Sequence, residues 1–292
     1  MKLAIFGNAD KPGLKEALAV LLESLERAGI DHALDEALGG VVPPGLPRAH
    51  LRLRKRDACL EGADMLVALG GDGTILSAAR AVGRKRIPIL GVNLGTLGFL
   101  AELAPGELAS SVGDILSGMY VVDERLVIEV RTGAEPGKVF AAMNDIVLDK
   151  SRSSRVIDIE THIDGAFAVT YRGDGVVVST PTGSTAYALS NGGPIVTPGS
   201  DVIGITPISP HTLSGRPLVV PASSVIRIVA HSESAEILLA ADGQEVAFLP
   251  PPAEITVRKA DYTVRLVRRK DRSYFDLLRA KLHWGRDART MR

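Results

Sequence analysis

The sequence predicts two parts of different texture: an N-terminal doubly wound α/β domain, then a C-terminal all-β domain of the β-sandwich kind, with a final helix returning to the first part. Two apolar runs without alternation, 65–69 (MLVAL) and 87–92 (IPILGV), lie among helical patterns, which marks a parallel sheet covered on both faces. Beyond Tyr120 the chain becomes short β-branched runs broken by turn residues. From Ser273 onward, Phe275, Leu277, Leu278 and Leu282 recover helical periodicity. The expected boundaries are 1–120, 121–268 and 269–292.

Residues 1–7 read as the first strand, because an apolar run stopping at Gly7 is too short for a signal peptide. Asp10 is placed as a helix cap with Pro12 in the first turn; Leu14, Leu18, Leu21, Leu22 and Leu25 follow at helical spacing, and Gly29 ends the helix. Residues 41–45 form a Pro/Gly loop, and the basic run 52–56 reads as a solvated helix face. In the second part, strands are expected at 125–131, 139–148, 156–163, 167–171, 218–220, 225–230, 236–241, 254–258 and 262–267, with Asp164-Gly165 as a hairpin turn.

Composition excludes several classes of function. Of 292 residues, 46% are apolar and 23% charged, so the chain buries a core and is not intrinsically disordered. Lys+Arg and Asp+Glu each count 34, which leaves no net field for phosphate backbones or anionic lipid, and aromatics at 4% offer few rings for stacking bases. Neither nucleic acid nor membrane is expected as a partner. No apolar run approaches the roughly 18 residues of a membrane span. The single Cys59 permits no intramolecular disulfide and reads as a reduced, partly buried small hydrophobe, so a cytoplasmic location is expected.

Three constellations can carry chemistry. GGDGT at 70–74 lies where a strand ends and a helix begins, the place where ligands collect in α/β sheets, and its glycines let amides close on phosphate oxygens. A carboxylate there repels phosphates, so Asp72 needs a role: holding a metal ion, accepting a proton from an attacking hydroxyl, or bracing its own turn. The second constellation is Arg172-Gly173-Asp174-Gly175, a strand at 176–179, and then the hydroxyl-rich TPTGSTAY at 180–187, which suits a polar ligand; Ser184 or Thr185 is also expected to cap a helix. Ser184 as a hydrolase nucleophile is discounted, because the pattern G-x-S-x-G is absent around it. Third, Asn144-Asp145 sits in an apolar run, where polar side chains cost free energy unless they are paired or face a cleft; a strand-end turn or bulge is the competing account. His32, His50, His162, His211, His231 and His283 show no metal-ligand spacing, so no protein-held metal is assigned, and neither a P-loop nor G-x-G-x-x-G occurs.

In order along the chain, GGDGT at 70–74, NLGTLGF at 93–99, Asn144-Asp145, DGVVVSTPTGSTAYALSNGGP at 174–194, PHTLSGRP at 210–217 and SYFDLLRAKLHW at 273–284 resemble the NAD kinase family of bacterial type. GGDGT alone is shared with lipid kinases; the TPTGSTAY stretch is far more specific. Many relatives carry Asn-Glu where this chain has Asn144-Asp145, which keeps the charge with a reach one methylene shorter.

The resemblance implies transfer of the γ-phosphoryl group of ATP to the 2′-hydroxyl of the adenosine ribose in NAD, giving NADP; some relatives also accept inorganic polyphosphate. Asp72 is then the expected proton acceptor, and a divalent cation, Mg²⁺, is expected to bridge phosphate oxygens. Asp72 and Gly73 are expected against the ribose and pyrophosphate with Phe99 nearby, and Asn144 and Asp145 against the adenosine portion. Asp174 is expected at the other end of the dinucleotide, while Thr185, Ala186, Tyr187, Ala188, Leu189 and Ser190 line the adenine and nicotinamide pockets. Arg155, Arg172 and Gln244 are expected to approach the ligand, although the two arginines equally suit exposed ion pairs. Since these residues come from both domains, the ligand is expected between them; relatives are homodimers or homotetramers. Two other functions compete. A lipid kinase needs an apolar acceptor cleft or a membrane-binding surface, and neither is evident; a non-catalytic dinucleotide sensor is disfavoured by the presence of Asp72.

Overall fold

The computed structural model describes residues 1–42, 52–95, 98–133, 139–212, 214–233 and 236–282. Positions 43–45 of the expected loop, His50, Thr96, Leu97, His283 and Trp284 lie outside the described residues. The chain divides into two compact units, Met1–Glu124 with Arg265–Arg292, and Arg125–Val264.

In the first unit, β1 (Lys2–Gly7), α1 (Leu14–Arg27), β2 (Asp31–Asp35), β3 (Leu53–Arg54), α2 (Arg56–Leu60), β4 (Met65–Gly70), α3 (Asp72–Val82), β5 (Ile89–Asn93) and α4 (Leu108–Leu116) follow one another. The strand order is β3-β2-β1-β4-β5, parallel throughout, with Ile5 beside Val67 and Val67 beside Leu90. Strand period 2 sends Leu3, Ile5, Val67, Leu69, Leu90 and Val92 to one face, where they meet Leu18, Leu21, Leu22 and Leu25 of α1 and Leu108 and Val112 of α4. The helices α2 and α3 pack against β1, β4 and β5 as well. Strand order reverses between β1 and β4, so the carboxyl ends of these strands border the crevice where α/β sheets bind ligands.

Two local features differ from expectation. Asp10 does not cap α1: its amide is held by Asn8 Oδ1 at 3.1 Å, and the helix is entered through Gly13 at φ 79 with no side-chain cap. The end is as expected, Gly29 at φ 66 donating to the carbonyl of Glu26. The basic run is not a helix face either. Leu53 pairs with Leu34 as β3, and Arg56 opens α2 with its guanidinium 5.2 Å from the centre of the Phe6 ring and Nε 2.7 Å from Asp35. Ladder pairing and one buried carboxylate therefore decide the shape of this segment. Cys59 is fully buried, and burial pushes its thiol up to about 11, so it is a protonated core group.

The second unit comprises most of β6 (Tyr120–Thr132), then β7 (Val139–Ala142), β8 (Asp145–Asp149), β9 (Ile157–Ile163), β10 (Ala166–Gly173), β11 (Gly175–Ser179), the short α5 (Tyr187–Ser190), β12 (Val202–Ile208), β13 (Leu218–Pro221), β14 (Ile226–His231), β15 (Ile237–Ala241), β16 (Glu245–Leu249) and the greater part of β17 (Ala253–Arg269). One sheet runs β10-β9-β14-β17, with β6 beside β17 and β7 beside β6; the other runs β13-β12-β11-β8-β15-β16. Ile128, Ile157, Ile159, Ile226, Ile228 and Val257 of the first sheet share one core with Ile146, Leu148, Val176, Val178, Ile203 and Leu239 of the second, which makes the unit a sandwich. Asp164 at φ 51 and Gly165 at φ 83 turn β9 into β10 as the dipeptide predicts.

Run boundaries differ from expectation in two places. The run 139–148 is interrupted at Met143-Asn144, between β7 and β8. The runs 254–258 and 262–267 fuse into β17, because Lys259 and Asp261 are solvent-facing residues of a continuous strand, Lys259 pairing with Asp201, rather than a turn. The last helix, α6 (Tyr274–Leu282), belongs to the first unit and starts with a reciprocal cap: Asp276 N–H donates to Ser273 Oγ at 3.2 Å and Ser273 N–H to Asp276 Oδ2 at 3.1 Å. No described helix is long and apolar enough to cross a membrane.

Leu18 is fully buried in the α1 face. Leu18→Ala is expected to destabilise the first unit by about 2–5 kcal/mol, measured by urea unfolding; a loss under about 1 kcal/mol contradicts its placement.

Candidate active site

In the first unit the site grows from the end of β4. Gly71 precedes α3 in an extended conformation with no side-chain cap, so Asp72 is the first helical residue and its carboxylate is free to turn away from its own loop. It accepts from the amides of Phe99 at 2.8 Å and Leu100 at 3.1 Å. Asp72 thus braces the segment after β5 rather than its own turn, which settles that alternative, and the remaining lone pairs of the two oxygens stay available for a further donor. The approach is so close that a Cβ on Gly98 would lie 1.9 Å from Asp72 Oδ1. Likewise, a Cβ on Gly70 would lie 2.1 Å from Thr74 Oγ1, so this glycine is needed for the Thr74 side chain to lie against the backbone. Gly70 and Asn93 are register partners on β4 and β5, and the Leu94 amide donates to the Gly70 carbonyl at 3.1 Å. Lys281 of α6 places Nζ 5.6 Å from the centre of the Phe99 ring, so the last helix reaches the same loop. Gly73 is exposed at the start of α3, where the helix N-terminus favours an anion.

In the second unit, Asn144 lies between β7 and β8 and Asp145 opens β8, so the pair sits at a strand end. Asp242, at φ 52 in the turn after β15, accepts from three successive amides: Met143 at 3.0 Å, Asn144 at 2.7 Å and Asp145 at 3.2 Å. From the other side Thr180 donates its amide to the Asn144 carbonyl at 2.9 Å and its hydroxyl to the Met143 carbonyl at 2.5 Å. A Cβ on Gly183 would fall 2.0 Å from the Asn144 carbonyl oxygen, so TPTG meets the Asn-Asp turn backbone against backbone. Asn144 Oδ1 is buried without a hydrogen-bond partner among the described residues, an acceptor that a ligand N–H or O–H would satisfy. Asp145 is 5% exposed; burial, then the charge of Asp242, raises its carboxyl from 3.8 to about 7, against a lowering by the Tyr187 amide.

The other assigned residues fall around these two centres or away from them. Tyr187 is exposed, while Ala188 packs its methyl against Val147, Val177, Ile208 and Ala240, so that side chain is core. Thr185, Ala186 and Leu189 are half-buried and Ser190 is exposed. The expected caps are absent: α5 has no side-chain cap, Ser184 Oγ bridges the Pro181 carbonyl at 2.7 Å and the Val196 amide at 3.0 Å, and Thr185 Oγ1 bonds the Thr182 carbonyl at 3.2 Å. Gln244 shares the Asp242 turn, its amide donating to the Ala241 carbonyl. Asp174 precedes β11, whose first residue Gly175 pairs with Asp149, at the far end of the strand pair whose near end joins Ser179 to Asp145; five residues of strand rise separate Asp174 from that near end by roughly 16 Å. It pairs with Lys150 at 2.7 Å. Arg155 pairs with Glu233 at 2.9 Å, and Arg172 lies 3.8 Å from Asp158, so both exposed arginines have acidic partners. Among the described residues no three His, Cys, Asp or Glu side chains come together as a metal set. The hold of Asp242 on the Asn144-Asp145 turn escapes sequence reasoning, because Asp242-Gly243 signals only a turn; Thr180 falls within the hydroxyl-rich stretch singled out from the sequence.

Residues 3–120 match the family model for the ATP-NAD kinase N-terminal domain, and residues 143–269 match that for the ATP-NAD kinase C-terminal domain. The chain belongs to the NAD kinase family. It is 40% identical over 294 residues to an NAD kinase of Geotalea daltonii, covering 97% of this chain and 99% of the relative. An NAD kinase of Bacteroides fragilis is 39% identical over 99% of this chain and its own full length. Among solved structures, the yeast NADH kinase complexed with NADH aligns with a TM-score of 0.90 at 29% identity, covering all of this chain and 90% of that one. An NAD kinase from Archaeoglobus fulgidus in complex with ATP aligns at 0.75 and 26% identity, covering 97% and 99%. The matches also bear out the fold expected of this family, an α/β domain followed by a mostly β domain and a final helix.

The raised carboxyl of Asp145 has a consequence for stability in this NAD kinase family member. Between about pH 4 and 7 the folded chain keeps a proton that the unfolded chain has lost, so stability falls as pH rises through that window. Asp145→Asn, which retains an acceptor for the Tyr187 amide, is expected to raise Tm relative to the parent more at pH 8 than at pH 5. Equal shifts at both pH values contradict the assignment.

Proposed function

We propose that this chain phosphorylates the 2′-hydroxyl of the adenosine ribose of NAD with ATP, giving NADP, and that Asp72 accepts the hydroxyl proton. The observation that carries the reading is the Asp72 carboxylate, held by the Phe99 and Leu100 amides on the first turn of α3 in a chain matched along both halves by NAD kinase models. A ribose hydroxyl is a weak nucleophile, and a carboxylic acid is a much stronger acid than an alcohol. Proton transfer to Asp72 therefore accompanies bond formation instead of preceding it, and positioning supplies much of the rate. Gly73 and the start of α3 offer backbone dipoles to the phosphates, in keeping with stabilisation of the charge that develops in phosphoryl transfer.

Asn144 and Asp145 are assigned to the adenosine portion; the buried acceptor of Asn144 supports this. Thr185, Ala186, Tyr187, Ala188, Leu189 and Ser190 are assigned to the base and nicotinamide pockets, and Asp174 to the other end of the dinucleotide. Arg155, Arg172 and Gln244 approach the ligand in this reading, the arginines by exchanging their present acidic partners for it. In this reading magnesium arrives with the nucleotide substrate, where it would neutralise phosphate charge. Cytoplasmic location and a homodimer or homotetramer complete the reading. Ala166, Phe167 and Ala168, all exposed on β10, which has β9 as its only partner strand among the described residues, support assembly through the β unit.

The test is NADP formation from NAD, ATP and Mg²⁺; tight NAD binding with no NADP would leave a dinucleotide-binding protein without catalysis. Asp72→Asn is expected to lower turnover by on the order of 10² or more while NAD affinity stays within about tenfold. Near-parental turnover removes Asp72 from its role. Gly98→Ala, whose methyl overlaps the Asp72 carboxylate, is expected to cost at least about tenfold in kcat, since misplacing a reacting group is costly even over short distances. Unchanged kcat there would mean that the carboxylate does not need this seat. Asn144→Ala is expected to raise KM for NAD more than it lowers kcat, and an unchanged KM argues against the adenosine contact.

A further inference from the structure

We propose that Asp242 is a positioning residue for the nucleoside-binding pair Asn144 and Asp145, acting through the backbone of the 143–145 turn. The inference rests on the assignment of that pair to the adenosine of NAD, and goes beyond it by naming what fixes the pair in place. Three consecutive amides pointing at one carboxylate form an anion nest, and charge-assisted bonds of this kind are stronger than neutral ones. The Asp242 amide in turn donates to the Asp145 carbonyl at 2.9 Å, so the two turns are bonded in both directions. With Thr180 and Gly183 closing the opposite side, the backbone of 143–145 is held from both sides. Consequently the buried Asn144 Oδ1 and the Asp145 carboxylate are left to point where the turn aims them.

Asp242 also acts on the chemistry of the pair. Among the described residues, Asp242 from the 241–244 turn and the Tyr187 amide from α5 face Asp145; Asp149 is on the same strand, four residues away. Arg125, buried in the same unit, hydrogen-bonds Thr182 Oγ1 at 3.4 Å. A neutral side chain at 242 removes a like charge from beside Asp145 as well as the anion from the nest.

Asp242→Asn separates these effects from simple folding loss. The variant is nearly isosteric, and asparagine tolerates the left-handed φ of 52. In steady-state kinetics on the full chain, it is expected to raise KM for NAD at least about tenfold with kcat and KM for ATP within about threefold. The acid limb of kcat/KM for NAD is expected to move to lower pH, because ionising Asp145 no longer opposes a neighbouring charge. A KM for NAD within about twofold of the parent, or a uniform fall in kcat, both affinities and Tm, overturns the proposal by making Asp242 a bystander or a general staple of the sandwich. Should Asp242→Asn not fold, Asp242→Glu, which keeps the charge with one more methylene, is judged by the same split between KM for NAD and kcat. Asn144→Ala run alongside keeps the two readings apart. If it leaves KM for NAD unchanged, the nucleoside assignment has failed; if it raises KM while Asp242→Asn does not, the positioning role has failed.

Discussion

Two amide hydrogen bonds to the Asp72 carboxylate hold together the edge of the parallel sheet on which the proposed chemistry depends. The residue sits on the first turn of a helix, where a negative charge is favourable, and is fastened to the chain leaving the next strand of the sheet. Both neighbours must lack side chains for this to happen: Gly98 gives the carboxylate room, and Gly70 gives Thr74 room behind it. A carboxylate oriented in this way needs no reorganisation when a hydroxyl arrives, the usual advantage of a preorganised site.

The second unit reuses the same physics with the parts exchanged. There the carboxylate of Asp242 is the fixture and the residues assigned to the ligand ride on the amides it holds. The arrangement sets two acids close together, one of them buried, and the result is an Asp145 carboxyl raised from 3.8 to about 7. Nothing in sandwich packing requires this. The sandwich core is fully apolar at Ile146 and Leu148, one and three residues further along the same strand. Local unfavourable electrostatics beside an unsatisfied Asn144 acceptor is the pattern expected where a ligand completes the structure.

Most of the architecture was legible because burial leaves a direct trace in composition. The runs at 65–69 and 87–92 lack alternation because both faces of the strands are covered, and the leucines of α1 repeat because one helix face meets the sheet. What was not legible was decided by partners distant in sequence. Leu53 and Arg54 of the basic run become strand because Leu34 and Asp35 are there to pair with them, and β12 contains Gly204 and Pro207, residues that read as strand breakers, yet it pairs with β11 from Gly204 to Ile208. In the site, GGDGT was plain and the hold on Asp72 was not. Its partners are backbone amides, which every residue but proline carries, so Gly98 was the sole compositional trace. Asp242 was hidden for the same reason, its partners in the 143–145 turn being amides and its Asp-Gly signal that of an ordinary turn.

The most direct test is a crystal structure of the chain with NAD and a non-hydrolysable ATP analogue, in which the distance from the Asp72 carboxylate to the ribose 2′-oxygen is measured. The account predicts about 2.6–3.2 Å, directly or through one water, with the Phe99 and Leu100 amides still on the carboxylate. A fully occupied complex in which that oxygen faces other groups, out of reach of Asp72 even through a single water, would contradict it.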